Sequence, residues 1–158
     1  MHDLIHFHAQ ATPAKKAIVD LHTGEAYDYR HTDQRISQIA SYLLKATDGE
    51  RGGRVAMISR NSAFMLLMHF ACARAGLIFV PLNWRLAPPE IGALIEDAQP
   101  SLLVWQPDFD ALAAPGFDIM EEARRFRIED AGESFAKEES DAFMENADAG
   151  EDDPITLL

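Results

Sequence analysis

Residues that could cradle a phosphate are the first chemistry to test. A phosphate loop must lie between a strand and a helix, so that the helix amides point at the anion. The sequence holds no G-x-x-x-x-G-K-[ST] run and no G-x-G-x-x-G run, and Gly52-Gly53 precedes its expected strand instead of following it. Ser59-Arg60-Asn61-Ser62 does occupy an expected strand-to-helix turn, with an arginine beside main-chain amides. Weak anion binding and plain helix capping both fit that turn, and capping by Asn61 or Ser62 is the simpler account.

Metal ligands and nucleophiles come next. His2, His6 and His8 crowd the start of the chain, and His2 and His6 have the i, i+4 spacing that zinc sites use. No third ligand stands at a fixed distance from them, so solvated histidines are the plainer reading. His22 and His31 are isolated. His69 falls in an apolar helix, where a hydrogen-bonded core histidine is a better expectation than a base. Cys72 is the sole cysteine and sits between Ala71 and Ala73 near Phe70, so it reads as a small buried hydrophobe and not as a nucleophile. The acidic pairs Glu96-Asp97, Glu121-Glu122 and Glu138-Glu139 could serve acid–base chemistry but read as solvated charge. Met57, Met65 and Met68 read as core filling. No residue pattern in the sequence marks a catalytic, cofactor-binding or metal position with any specificity.

The elements that would position these residues follow from periodicity. Met1–Gln10 reads as a short helix that ends before Pro13. Lys16–Leu21 and Glu25–Arg30 alternate around His22-Thr23-Gly24, which predicts a small β-hairpin near the N-terminus. Thr32 or Asp33 is expected to cap a helix with Ile36, Ile39, Ala40, Leu43 and Leu44 on one stripe. Arg54–Ser59, Leu77–Leu82 and Ser101–Trp105 read as strands buried on both faces. Between them lie two helices, Ala63–Ala75 closed by Gly76, and Pro89–Ala98 entered through prolines. Strands and helices in strict alternation predict an α/β fold, a parallel sheet covered by helices.

Composition narrows the function classes. The net charge of −12 is confined to residues 108–158, which carry 16 acidic and 4 basic side chains, whereas residues 1–107 balance. No basic face exists for phosphate backbones, so nucleic acid is not an expected partner. No run reaches the ~20 apolar residues of a membrane span. The opening residues lack the pattern of a signal peptide, and one cysteine excludes a disulfide framework. A cytoplasmic protein fits. Residues 131–153 are acidic and poor in large apolar side chains, which predicts a surface excursion.

The residues also carry a family resemblance. Thr12-Pro13-Ala14-Lys15-Lys16-Ala17-Ile18-Val19, Tyr27-Asp28-Tyr29, and Gly53–Ser62 resemble the front of the AMP-forming acyl-CoA synthetases of the adenylate-forming superfamily. The most specific piece is Ala75-Gly76-Leu77-Ile78-Phe79-Val80-Pro81-Leu82-Asn83-Trp84-Arg85-Leu86. The similarity covers about residues 3–107 and resumes at 152–158. It implies three stretches: 1–107 as the N-terminal α/β portion of the ligase domain, 108–151 as an acidic variable excursion, and 152–158 as the start of the strand before the phosphate loop. In that family a segment like Asp153–Leu158 runs into a Tyr-Thr-Ser-Gly-Thr-Thr-Gly loop that holds ATP phosphates, and no such stretch occurs here. The resemblance therefore implies an N-terminal fragment that is inactive alone, from an enzyme that uses ATP, Mg²⁺ and CoA on a carboxylic acid. It assigns no catalytic, cofactor-binding or metal residue to this chain; Gly76, Pro81, Asn83 and Arg85 match a motif whose plain reading is structural. Pro81 and Asn83 could help shape a site from behind. Another adenylate-forming ligase and a non-enzymatic α/β binding module are the alternatives, although Pro-Leu-Asn-x-Arg favours the CoA ligases over peptide-synthetase domains. Helix Ala63–Ala75 is apolar all round and needs cover on both sides, so the isolated chain is expected to be marginally stable and to self-associate.

Overall fold

The computed structural model of the chain describes residues 3–128 and 154–156. Helix α1 (Leu4–Ala11) starts at Asp3, whose carboxylate accepts from the His6 amide at 2.9 Å. Strands β1 (Lys16–Val19) and β2 (Ala26–Asp28) pair antiparallel as the expected hairpin. Its turn is built by Asp20, which accepts from the His22 and Thr23 amides, and by Gly24 at φ 78°. Helix α2 (Tyr29–Ala46) begins earlier than expected. The cap is Asp28, accepting from the His31 amide at 2.8 Å, and not Thr32 or Asp33. Tyr29 and Arg30 are therefore helical, because a side-chain acceptor on the last residue of β2 ends the strand and starts the helix in one step. Thr32 is instead fully buried inside α2.

The main sheet consists of β3 (Arg54–Ile58), β4 (Ile78–Leu82), β5 (Leu102–Trp105) and β6 (Arg125–Arg127), in the order β4-β3-β5-β6 and parallel throughout. Helix α3 (Ala63–Ala75) links β3 to β4, and α4 (Pro88–Ala98) links β4 to β5. Alternate strand residues point to opposite faces, so the sheet has two cores. Val55, Met57, Phe79, Leu102 and Val104 pack with Ile36, Ile39 and Leu43 of α2 and Leu67, Met68 and Cys72 of α3. Ala56, Ile58, Val80, Leu82, Leu103 and Trp105 pack with Ile91 and Ile95 of α4 on the other face. Each large apolar side chain so buried contributes about 1.5–3 kcal/mol. Covering both faces is what a parallel sheet requires.

Pro81 lies inside β4, where a proline removes a ladder donor. The Ile78 amide donates to Gly53 on the β3 side, whereas the Phe79 amide donates outward to Ile155 at 2.9 and 3.0 Å respectively. Strand groups alternate in direction, so residue 81 shares the outward side with Phe79 and its missing N–H costs no bond to β3. Phe79 also bridges Thr156 in parallel, which sets residues 155–156 beside β4.

Residues after Trp105 add to this body. A 3₁₀ turn (Pro107–Phe109), helix α5 (Asp110–Ala113) and a second turn (Ala114–Phe117) bury Phe109, Ala113 and Gly116 on the α4 face. Asp110 then ties β6 to β5. Its carboxylate accepts from the Trp105 indole N–H at 2.7 Å and from Arg127 through Nε at 3.0 Å and Nη2 at 3.1 Å. The indole bond, and after it the Arg127 guanidinium, hold the Asp110 carboxyl below the usual carboxylate range. The expected excursion at 131–153 lies outside the described residues, and no described helix is long and apolar enough to cross a membrane.

Candidate functional site

Open parallel sheets bind ligands beyond the carboxyl ends of their strands, at the point where the connections diverge to opposite sides. Here α3 carries the chain from β3 to one neighbour, and β5 lies on the other side of β3, so the divergence falls between β3 and β5. Arg60 leaves β3 and Gln106 leaves β5 at that point, and the Arg60 amide donates to Gln106 Oε1 at 2.8 Å. The Gln106 amide in turn donates to the Ile58 carbonyl at 3.0 Å. The two strand ends are thus stitched together at the sheet edge.

Trp84 and Arg85 arrive from the end of β4. Asn83 makes the turn: its Oδ1 accepts from the Arg85 amide at 3.1 Å, and its carbonyl accepts from Leu86. The indole of Trp84 stacks on Phe109, with centroids 5.7 Å apart and planes inclined by 27°. The Arg60 guanidinium carbon lies 4.7 Å from the Trp84 ring centroid, and that of Arg85 lies 4.2 Å from it. Each cation–π contact fixes a guanidinium without consuming its N–H groups. Among the described residues the carboxylate paired with this cluster is that of Asp108, 3.8 Å from Arg60, with both side chains largely in solvent. Arg85 forms no ion pair among the described residues.

The amino end of α3 is already engaged. Ser62 accepts from the Met65 amide at 3.2 Å, and Asp20 of the hairpin accepts from the Ala63 amide at 3.1 Å. The Ala63 bond is the largest of three amide bonds that keep the Asp20 carboxyl below its usual range. An anion at this helix end would compete with a resident carboxylate, so basic chemistry at the edge rests on the guanidinium groups and not on helix amides. Ser59 is buried and donates to the Arg60 carbonyl.

The other sequence candidates lie apart from this edge. His6 pairs with Asp33 at 3.0 Å, His8 packs on the Tyr29 ring at 4.9 Å, and His2 lies outside the described residues. His22 is in the hairpin turn and His31 packs edge-on to Tyr27. Among the described residues no three His, Cys, Asp or Glu side chains converge as metal ligands. His69 differs from the core histidine expected. It is half-buried against the rings of Phe70 and Phe79, at 5.6 and 5.5 Å, with no hydrogen bond among the described residues. Desolvation holds its pKa below the ordinary value. Cys72 is fully buried, and burial drives its thiol far above the usual range. Glu96, Asp97, Glu121 and Glu122 are exposed, and Glu138-Glu139 lie outside the described residues. Met57 and Met68 are core, Met65 is partly buried. Gly76 caps α3 at φ 71°.

Two features were not read from the sequence. One is Trp84 as the ring that both Arg60 and Arg85 contact, for which the Asn-Trp-Arg order at a strand end was the available signal. The other is buried Arg74 of α3. It pairs with Asp3 and Asp33 at 2.7 Å each and donates to Ser37 Oγ at 2.7 Å, joining α1, α2 and α3.

Fold and edge together define a parallel α/β domain with a basic, aromatic cluster beyond its strand ends. The comparisons with known proteins carry this further: the chain belongs to the AMP-binding enzyme family, whose signature matches residues 5–158. It is 34% identical over 130 residues to a fatty acid–[acyl-carrier-protein] ligase, ScoC, of Streptomyces coeruleorubidus, covering 82% of this chain and 24% of that protein. It is 40% identical over 104 residues to an indoleacetate–CoA ligase of Aromatoleum aromaticum, covering 66% and 20%. The chain thus spans about a quarter or less of these relatives' length. The N-terminal domain of FACL13 from Mycobacterium tuberculosis superposes with a TM-score of 0.82 at 21% identity, over 97% of this chain and 39% of that one. VinN does so with a TM-score of 0.82 at 24% identity, over 99% and 38%. These two likenesses carry the fold.

Proposed function

We propose that this chain is the leading portion of the large domain of an ATP-dependent, AMP-forming ligase acting on a carboxylic acid, and that it does not catalyse the reaction alone. The observation that carries the reading is the family match over residues 5–158, with relatives named as acyl ligases. In the complete enzyme a carboxylate oxygen attacks the α-phosphate of ATP, forming an acyl–phosphate bond and releasing pyrophosphate, with Mg²⁺ assisting. The CoA thiol then attacks the acyl carbon, and AMP leaves. ATP, Mg²⁺ and CoA belong to that complete enzyme, and none of its motif residues for them is matched in this chain.

The same proposal divides the chain into a ligase-domain portion to residue 107, an acidic variable excursion at 108–151 whose first part packs back on the sheet, and residues 152–158 as the strand leading to the phosphate loop. It places the enzyme in the cytoplasm without a nucleic-acid partner. It also has the isolated chain self-associate. Leu66 on the outer side of α3 is 42% exposed, and its neighbours His69 and Phe70 are half-buried. A sharp, reversible, monomeric unfolding transition would refute that last element.

The test is ATP–pyrophosphate exchange with a panel of fatty and aryl acids. Residues 1–158 alone are expected to give none, and measurable exchange overturns the inactivity. A chimera in which these residues replace the matching part of the indoleacetate–CoA ligase is expected to retain exchange; a folded chimera without it counts against the family role. The ScoC likeness favours one second reading, in which the acyl group goes to a carrier protein. Supplying the chimera with CoA or with a phosphopantetheinylated carrier protein separates the two.

A further inference from the structure

Arg30, Asp33, Gln34 and Ser37 fall at i, i+3, i+4 and i+7 of α2, so one whole stripe of that helix is polar. Such a stripe ordinarily faces open water. Here the end of α1 and Pro13 stand opposite it, and a cleft of about 480 Å³ lies between them. We propose that this cleft binds a small zwitterion, an amino acid or short ω-amino acid, with its carboxylate on Arg30 and its ammonium group on Asp33. The proposal goes beyond the ligase reading and does not rest on it. The cleft is also separate from the Arg60 cluster. Helix α3 runs from the end of β3 to the start of β4, so Arg74 in its last turn, which holds Asp33, marks the amino edge of the sheet.

The charges carry the proposal. Side chains one turn apart on a helix stand about 5–6 Å from each other at Cβ, and opposite charges at that spacing ordinarily pair. Arg30 and Asp33 have the spacing, yet Asp33 is engaged elsewhere: its Oδ1 accepts from Arg74 Nη2 at 2.7 Å, and its Oδ2 pairs with the His6 ring at 3.0 Å. The Arg30 side chain has no ion pair or hydrogen bond among the described residues, so its N–H fork stands unspent at the cleft wall. The floor is negative. Arg74 offers one positive charge to the carboxylates of Asp3 and Asp33, each 2.7 Å away, which leaves the group net negative whenever His6 is neutral. The Asp33 side chain is 14% exposed, reachable from the cleft but little screened by solvent. A carboxylate has roughly four acceptor sites, so Asp33 can still receive an ammonium group. Ser37 is buried and accepts from Arg74, which leaves its own O–H to donate into the cleft.

A positive wall and a negative floor one helical turn apart match a molecule that carries both charges on a short chain. A lone anion would meet Asp33, and a lone cation would meet Arg30. Ala9 and Pro13 supply the apolar lining, too little to hold an acyl chain. The backbone is fixed in advance, since the Arg30 amide donates to the Pro13 carbonyl at 3.1 Å and Arg74 donates to the Asp33 carbonyl at 3.1 Å.

The test is an NMR titration of the ¹⁵N-labelled 158-residue chain with glycine, β-alanine and γ-aminobutyrate at low ionic strength. At least one is expected to shift the amides of Gln10 and Gln34 saturably. Propionate, which lacks the ammonium group, and propylamine, which lacks the carboxylate, are each expected to bind about tenfold or more weakly than the best zwitterion. Arg30→Gln is expected to weaken binding by about tenfold, and Arg30→Lys, which keeps the charge, to recover part of it. Arg30 is exposed, and circular dichroism checks that both variants keep their fold. The proposal is overturned if none of the three zwitterions gives saturable shifts, or if Arg30→Gln stays within about twofold of the parent. Propionate or propylamine binding as tightly as the best zwitterion also overturns it. ATP–pyrophosphate exchange plays no part here, so this proposal and the ligase reading fail separately.

Discussion

The Asp20 carboxylate accepts a hydrogen bond from the Ala63 amide at 3.1 Å, so the turn of the N-terminal hairpin caps a helix 43 positions later. The same side chain closes its own turn through His22 and Thr23. One carboxylate therefore couples the small antiparallel sheet to the start of α3. Asp20→Ala is expected to speed amide hydrogen exchange at both Thr23 and Ala63, because both donors lose their acceptor. Asp20→Asn, which keeps an acceptor oxygen, should preserve most of the protection. Unchanged exchange at Ala63 in the alanine variant would dissociate hairpin from helix.

Asp33→Ala is expected to destabilise the domain by about 3 kcal/mol, because it strips one partner from a guanidinium whose side chain is 1% exposed. Asp3 remains as the second partner but reaches Arg74 from the short α1. Chemical denaturation measures the loss. Arg74→Met removes charge and donors together, and should cost less than Asp33→Ala.

Gly116 sits where a Cβ would meet Leu103 Cδ2 at 2.6 Å and Ile95 Cδ1 at 3.2 Å. Gly116→Ala therefore overfills the contact between the turn and the sheet, with an expected cost of about 1–3 kcal/mol. Gly24→Ala meets no atom within 4 Å, yet is strained by its φ of 78°. Denaturation of both variants separates crowding from backbone strain, and Gly116→Ala alone should perturb the near-UV signal of Trp105 on the same face.

His69 titrates below the ordinary histidine value of 6.5 because it is desolvated. The unfolded chain then binds its proton before the folded one does, so the folded state loses stability as the pH falls from about 6.5 through the folded pKa. Thermal unfolding midpoints across that range should drop on acidification, and His69→Phe should flatten the drop. An equal drop in the variant would move its origin elsewhere.

Much of this domain could be read from pattern. Strands β3, β4 and β5 are continuous apolar runs, and the stripe Ile36–Ile39–Leu43 leaves one orientation for α2. Capping choices were harder to read, since Asp28, Thr32 and Asp33 all have side-chain acceptors and only tertiary packing decides among them. Asp33 is drawn to Arg74, which leaves Asp28 to start the helix. Beyond Trp105 the signal fails because β6 is only three residues long, flanked by charge and fixed by the side chains of Asp110 and Arg127. At the carboxyl edge, sequence marked Arg60 and Arg85 separately. What it lacked was the distance between two strand ends, which depends on β3 and β4 lying side by side in register.

The proline in β4 has a bearing on how copies of this chain meet. Past Phe79, whose amide is spent on Ile155, the outer rim of the strand offers carbonyl oxygens but no N–H. A foreign strand laid along it would find acceptors and no reciprocal donors. Ordered cross-β growth from this rim is blocked by a single imino acid. Ordered strand addition at this rim should accordingly fail, and copies that meet through the apolar back of α3 should come apart in detergent.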